Sequence, residues 1–138
     1  MKRIFVDAGA WYALVDEKDP DHNSAREFYT NNQMPLLTTN FIFAETVTLI
    51  MSRLGWKIAC EFGEKLKKSR FASLVSVIDA DEVRAWQIFL KYKDTGFSYT
   101  DCTSFALMER MKINTAFAFD KHFKTMELTV VPLLLRGD

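Results

Sequence analysis

Disulfide chemistry is nearly closed to this chain. Its two cysteines, Cys60 and Cys102, stand far apart with no CxxC spacing, so no disulfide framework organises it and a reducing, intracellular setting is expected. An excess of one charge is also missing. The 18 basic and 18 acidic residues cancel, leaving no global field of the kind that draws a protein to nucleic acid or to a membrane surface. Any such function must come from local patches. Glycine and proline are sparse, 5 and 3 in number, and no stretch reads as an interdomain linker, an internal repeat or a low-complexity segment. Long hydrophobic runs are absent too. The longest, FIFAETVTLIM, is broken by Glu45 and two threonines, too interrupted for a bilayer span. The apolar run at the N-terminus stops at Asp7 instead of extending through a signal-peptide core. A cytoplasmic protein without a membrane segment is expected.

What is present suffices for one core. With 138 residues, 49% of them hydrophobic, the chain fits a single domain spanning 1–138. Apolar runs of strand length occur at Arg3–Val6, Leu36–Thr38, Leu74–Ile78, Ala116–Phe119 and Thr129–Leu133. Their continuous hydrophobicity predicts burial on both faces, as in a parallel sheet. Segments of helical period fill the intervals: a short helix from Ala10, then Asp21–Tyr29, Phe41–Leu54 and Trp56–Lys68 separated at Gly55, Asp81–Tyr92 and Tyr99–Met111. This alternation predicts an α/β sandwich with a mostly parallel central sheet.

Two of the strands end on a carboxylate. RIFVDAGAW delivers Asp7 and AFAFDKHF delivers Asp120, more than a hundred residues later. In open parallel sheets ligands bind beyond the carboxyl ends of the strands, where the loops converge. Each aspartate also suits the N-cap of a following helix or turn. Two helical acids join them. Asp101 in SYTDCTSFALM shares a helix face with Ser104, Phe105 and Met108 and so points inward; equally, Ser98 and Asp101 have capping-box spacing. Glu45 in TTNFIFAETVTLIM is flanked by apolar residues, and it also falls on a polar stripe with Thr48 and Ser52.

If the four carboxylates converge, they need a positive partner. At about 4 Å each like-charged pair repels by roughly 4 kcal/mol at an effective dielectric of 20. Oxygen ligands favour Mg²⁺ or Mn²⁺, one or two ions, over zinc. His22 and His122 are far apart in the chain and read as surface or packing residues. Carboxylate-bound Mg²⁺ is apparatus for displacement at phosphorus, which makes the candidate a phosphodiesterase and RNA or DNA its substrate. The cations that would mark a nucleic-acid path are Arg53, Lys57, Lys65, Lys67, Lys68 and Arg70; a basic helix C-terminus also arises from helix-dipole chemistry alone.

The pieces FVDAGAWYAL, DHNSA, LLTTNFIFAETVTLI, FSYTDCTSFALMERMKI and AFAFDKHF resemble, in order and spacing, the PIN-domain ribonucleases and among them the VapC-type toxins of toxin-antitoxin pairs. The resemblance covers nearly the whole chain. It implies a three-layer α/β/α domain, and it puts Asp7, Glu45, Asp101 and Asp120 on the acidic, metal-binding and catalytic positions of an endoribonuclease. It further implies a homodimer and a small antitoxin partner. The family often has Ser or Thr after the first acid, where this chain has Ala8, so a supporting hydroxyl is expected from Thr103 or Ser98.

Rival readings fit less well. A phosphatase with Asp7 as nucleophile wants a second aspartate where Gly9 stands, and a phosphate-receiving signalling domain wants an acidic pair near the first strand. A catalytically inactive PIN-like scaffold that binds RNA or docks a protein is the non-enzymatic alternative. The four intact acids count against it.

Overall fold

In the computed structural model, which describes residues 2–133, strands and helices alternate throughout the described residues. Met1 and residues 134–138, which complete the expected 1–138 domain, lie outside the described residues. The order is β1 (Ile4–Val6), α1 (Ala8–Val15), α2 (His22–Asn31), β2 (Leu36–Thr39), α3 (Asn40–Leu54) and α4 (Trp56–Lys68). It continues with β3 (Ala72–Val75), α5 (Asp79–Lys91), α6 (Tyr99–Met111), β4 (Thr115–Phe117), α7 (His122–Thr125) and β5 (Thr129–Val131). No helix among the described residues is long and apolar enough to cross a membrane.

The five strands form one sheet in the order β3-β2-β1-β4-β5, and every pairing is parallel. The sheet is therefore wholly parallel. From β1 the chain steps outward through β2 to β3, then returns across to β4 and outward again to β5. Because such crossovers are right-handed, α1 to α4 cover one face and α5 to α7 the other, in three layers. Side chains agree with that assignment. Val6 and Phe117 pair across β1 and β4, and Phe117 packs on Phe28 of α2 at 4.7 Å. Phe5, on the opposite face of β1, packs on Phe123 of α7 at 6.1 Å, and Phe123 meets Phe105 of α6 at 5.2 Å.

Burial on both faces holds for the three inner strands only. β3 and β5 are edges and are partly exposed, because nothing pairs with their outer sides. β3 also runs Ala72–Val75 and not Leu74–Ile78. The Ser69 hydroxyl accepts from the Phe71 and Ala72 amides at 3.0 and 3.2 Å and starts the strand early. The Val77 amide then donates to Asn40 Oδ1 and the Ile78 amide to Asp81 Oδ2, which removes both from the ladder. The turn after Asp120 closes into the single helical turn α7, and α1 starts at Ala8, two residues before the expected Ala10.

An ion pair with a buried carboxylate and a partly exposed guanidinium fastens α6 to α5. Asp81 is 1% exposed and accepts from the Arg110 guanidinium at 2.7 and 3.0 Å. Burial pushes the Asp81 carboxyl up, but the Arg110 hydrogen bonds, the Ile78 amide and the Arg110 charge together hold it below its ordinary value of 3.8. The Arg110→Ala substitution strands that carboxylate and is expected to destabilise the protein by about 2–4 kcal/mol in urea unfolding. Since the folded pKa is depressed, the wild-type contribution is present above pH 3.8 and fades as pH falls through the folded value. A loss under about 0.5 kcal/mol near neutral pH would remove Arg110 from the forces that hold α6.

Candidate active site

The strand order reverses at the sheet centre, between β1 and β4. Chains leaving these neighbours turn to opposite faces and open a crevice at the carboxyl edge. Asp7 follows β1 directly, and its amide donates to the Phe117 carbonyl at 3.0 Å, so the end of β4 anchors its backbone. Asp7 occupies the N-cap position of α1, yet its side chain makes no capping hydrogen bond. Capping is thus not its use. It is 6% exposed and faces the other acids: burial, followed by the charges of Asp120 and Asp101, raises its carboxyl well above 3.8. The Ala8 amide opposes this and Glu45 adds to it.

Asp101 serves two purposes. The Ser98 hydroxyl accepts from the Asp101 amide at 3.0 Å and Asp101 Oδ2 accepts from the Ser98 amide at 3.0 Å, a complete capping box at the start of α6. The same Oδ2 lies 2.9 Å from His122 Nδ1. Capping and an inward position beside the other acids, which the sequence presents as alternatives, coexist in one carboxylate. Asp120 also has a local partner. Its Oδ1 accepts from the His122 amide at 2.9 Å, a turn that bends the chain into α7.

Glu45 shares its stripe with Thr48 and Ser52, and the stripe lines a groove of about 770 Å³ together with Asn40, Phe41 and Thr100. The groove runs to the start of α6. Glu45 stands at its wall with solvent on one side; partial burial and the charges of Asp101 and Asp120 raise its carboxyl above 4.5. The structure therefore brings all four predicted acids into one electrostatic neighbourhood.

His122, expected as a surface or packing residue, packs on Phe97 at 5.3 Å and also stands beside these acids. Ligand atoms of Asp101, Asp120 and His122 lie within 4.8 Å of one another. Among the described residues His122 is the basic side chain that pairs with these acids, at 2.9 Å from Asp101 and 4.0 Å from Asp120. The D-x-H spacing after β4 is the sequence signal. It becomes informative once the Asp120 turn folds the chain back by two residues. His22, in contrast, is buried, with Nδ1 2.7 Å from the Ala13 carbonyl, a packing residue as expected.

The two expected hydroxyl helpers both lie at the N-cap and in the first turns of α6, and Ser98 is bonded to Asp101 itself. Thr103 is buried and donates to the Thr100 carbonyl at 2.6 Å, and Ser98 caps α6. The hydroxyl that supports Asp7 comes from β2: Thr38 donates to the Val6 carbonyl at 2.9 Å and accepts from Trp11 Nε1 at 3.3 Å. It ties the end of β1 to α1 on either side of Asp7. Cys102, buried behind Asp101, has its thiol pushed up to about 11, by burial first and by Asp101 second, and packs as a neutral group.

The six candidate RNA-contacting cations are distributed over α3, α4 and the segment that follows α4. Arg53 lies over the Tyr12 ring and Lys67 over the Phe43 ring, at 5.1 and 5.2 Å. Lys68 pairs with Glu64, Lys57 is exposed, and Lys65 lines a groove between α2 and α4. Arg70 sits with Phe71 near the start of β2, at the edge opposite Asp7.

The donor set suits a hard or borderline divalent ion. Carboxylate oxygens dominate, with one imidazole nitrogen in reach, and the elevated Asp7 shows that uncompensated charge there is unfavourable.

Comparison with known proteins agrees with the geometry. The family described as PIN domain matches residues 4–127. The 23S rRNA-specific endonuclease VapC20 of Mycobacterium tuberculosis is 32% identical over 123 residues, covering 87% of this chain and 91% of that protein. Ribonuclease VapC26 of the same organism is 24% identical over 136 residues, 94% of this chain and 100% of that one. The crystal structure of VapC20, described as a sarcin-ricin loop cleaving toxin, matches with a TM-score of 0.87 at 28% identity, covering 91% of this chain and 96% of the other. FitAcB from Neisseria gonorrhoeae shares the fold, with a TM-score of 0.71 at 13% identity and coverage of 94% and 96%.

The electrostatics separate the acids by stability. The raised folded pKa of Asp7 means its contribution is fully present below 3.8 and is lost as pH rises through the folded value. Metal-free Asp7→Asn protein is expected to be more stable than wild type near neutral pH by on the order of 1 kcal/mol, a rise of roughly 3–5 °C in Tm. Metal-free Asp101→Ala protein loses its capping box and is expected to be less stable by about 1 kcal/mol. Thermal melts in chelator test both. Equal destabilisation by the two substitutions would contradict the assignment of Asp7 as a strained charge.

Proposed function

The chain belongs to the PIN-domain family and is VapC-type, and from that premise we propose that it is a divalent-metal-dependent endoribonuclease, the toxin of a toxin-antitoxin pair. The observation that carries the proposal is the grouping of Asp101 and Asp120 within 4.8 Å of each other, with buried Asp7 at the strand-order reversal and Glu45 on α3 both feeling their charge.

These four carboxylates are the residues that would hold Mg²⁺ or Mn²⁺, one ion or two. When bound, such a cation lowers the pKa of water and offsets charge accumulating at phosphorus. The protein's own part is positional. Asp7 is fixed by the Phe117 carbonyl and the Thr38 clasp, Asp101 by the α6 capping box, and Asp120 by the turn into α7. Rigid carboxylates keep the acceptor geometry constant while a phosphodiester is placed. Glu45 faces the groove, whose Asn40, Thr48, Ser52 and Thr100 offer hydrogen bonds to phosphate and ribose oxygens. The substrate is RNA, and because VapC20 acts on 23S rRNA, a ribosomal stem-loop is the first RNA to test. A small antitoxin is the proposed protein partner. The proposed homodimer finds support in α5, where Val83, Trp86 and Leu90 form an exposed apolar stripe.

Purified protein incubated with labelled ribosomal stem-loop and transfer RNA is expected to cleave RNA with Mg²⁺ or Mn²⁺ and to stop with EDTA. Substituting Asp7→Asn, Glu45→Gln, Asp101→Asn or Asp120→Asn singly should lower the rate by roughly 100-fold or more. Undiminished cleavage by Asp7→Asn would assign the activity to a contaminant and refute the proposal. Metal-independent binding without cleavage would identify a scaffold.

A further inference from the structure

His122 makes two contacts that no other described residue combines. Its backbone amide holds Asp120 Oδ1 at 2.9 Å, and its ring nitrogen Nδ1 holds Asp101 Oδ2 at 2.9 Å. The first acid comes from the end of the β4 segment and the second from the start of α6, so one residue spans two separate parts of the chain. The ring itself is constrained. It packs edge-on against Phe97 at 5.3 Å, and Gly96, at φ +79°, leaves space on its far side, where an added Cβ would stand 4.0 Å from Nε2. Only 22% of the side chain is exposed. A charged carboxylate is an acceptor and never a donor, so the 2.9 Å contact requires the proton on Nδ1.

We propose that His122 is a positioning residue that clamps Asp101 and Asp120 at a fixed separation, with Nδ1–H directed at Asp101 Oδ2, so that the two carboxylates present a preformed pair of oxygens to a divalent cation. The clamp rests on the reading of Asp101 and Asp120 as metal-holding residues. Ligand carboxylates are commonly oriented by hydrogen bonds from the shell around them, and loss of such a partner weakens metal binding by about 10- to 100-fold. Both hydrogen bonds to the Asp101 side chain fall on Oδ2. Oδ1 is thereby the Asp101 oxygen that would be left to hold a cation.

The test uses the full chain and four proteins: parent, His122→Ala, His122→Asn and His122→Gln. An asparagine amide nitrogen overlays the position of Nδ1, whereas a glutamine amide reaches toward Nε2. In calorimetric titration with Mn²⁺, His122→Ala and His122→Gln should bind roughly 10- to 100-fold more weakly than parent, and His122→Asn should recover to within about threefold. Tm in chelator should stay close to parent for the asparagine and glutamine variants, so that if the alanine variant fails to fold, those two still decide the matter. Independently of any metal, a long-range ¹H–¹⁵N spectrum of the parent in chelator should show His122 protonated at Nδ1.

Parent-like Mn²⁺ affinity in folded His122→Ala would overturn the clamp, as would equal affinities for the asparagine and glutamine variants or a bare Nδ1 with the proton on Nε2. Failure of the underlying metal reading has a different signature: the parent itself would bind no Mn²⁺, or would bind it unchanged after Asp120→Asn. That result would overturn both.

Discussion

Placing an aspartate at the end of a buried central strand sets the terms for everything around it. Asp7 cannot retreat from the interior, because its amide is bound to the end of β4 and its neighbours Val6 and Ala8 are core residues. Nor does it discharge itself by capping α1. A carboxylate in that position is costly alone and more costly beside Asp120, Asp101 and Glu45. The fold maintains the arrangement with ordinary secondary-structure devices. A reversal of strand order opens the crevice, a capping box aims Asp101, and a turn aims Asp120.

Those devices explain why each acid looks unremarkable by itself. The capping box of α6 contributes to the helix whether or not an ion is ever bound, and the Asp120 turn starts α7 in the same way. Helix-start chemistry and ligand presentation both require a short carboxylate held rigidly near the beginning of a helix. Under the proposed function the same side chain would meet both requirements. What distinguishes the site is convergence: four acids from four elements, with one histidine as the basic partner among the described residues.

Much of the fold is readable in the sequence because its signals are local. Continuous apolar runs mark β1, β2 and β4, and Gly55, at φ +99°, separates α3 from α4. β3 is misplaced by two or three residues because Ser69, Asn40 and Asp81 decide its ends through side-chain bonds to the backbone, and one of those partners lies 37 residues away. At the site, the acids are legible as strand ends and helix starts. His122 is not, since its role depends on a fold-back across 21 residues to Asp101. Nor is Thr38, whose hydroxyl reaches Val6 across the sheet. The basic residues are legible as a group around α4, but only packing shows that Arg53 and Lys67 lie over aromatic rings.

The same electrostatics link stability to the proposed activity. A site with unopposed negative charge destabilises the metal-free fold, and an ion that binds only the folded chain adds stability in proportion to the logarithm of its concentration over Kd. The carboxylates that would orient a phosphodiester therefore leave the metal-free protein weaker than its core alone would allow. Replacing one acid with a neutral residue relaxes that tension and removes a ligand in the same step. Asp7 beside three further acids, with Thr38, Ser98 and His122 around them, is an arrangement whose electrostatic cost the proposed chemistry would put to use.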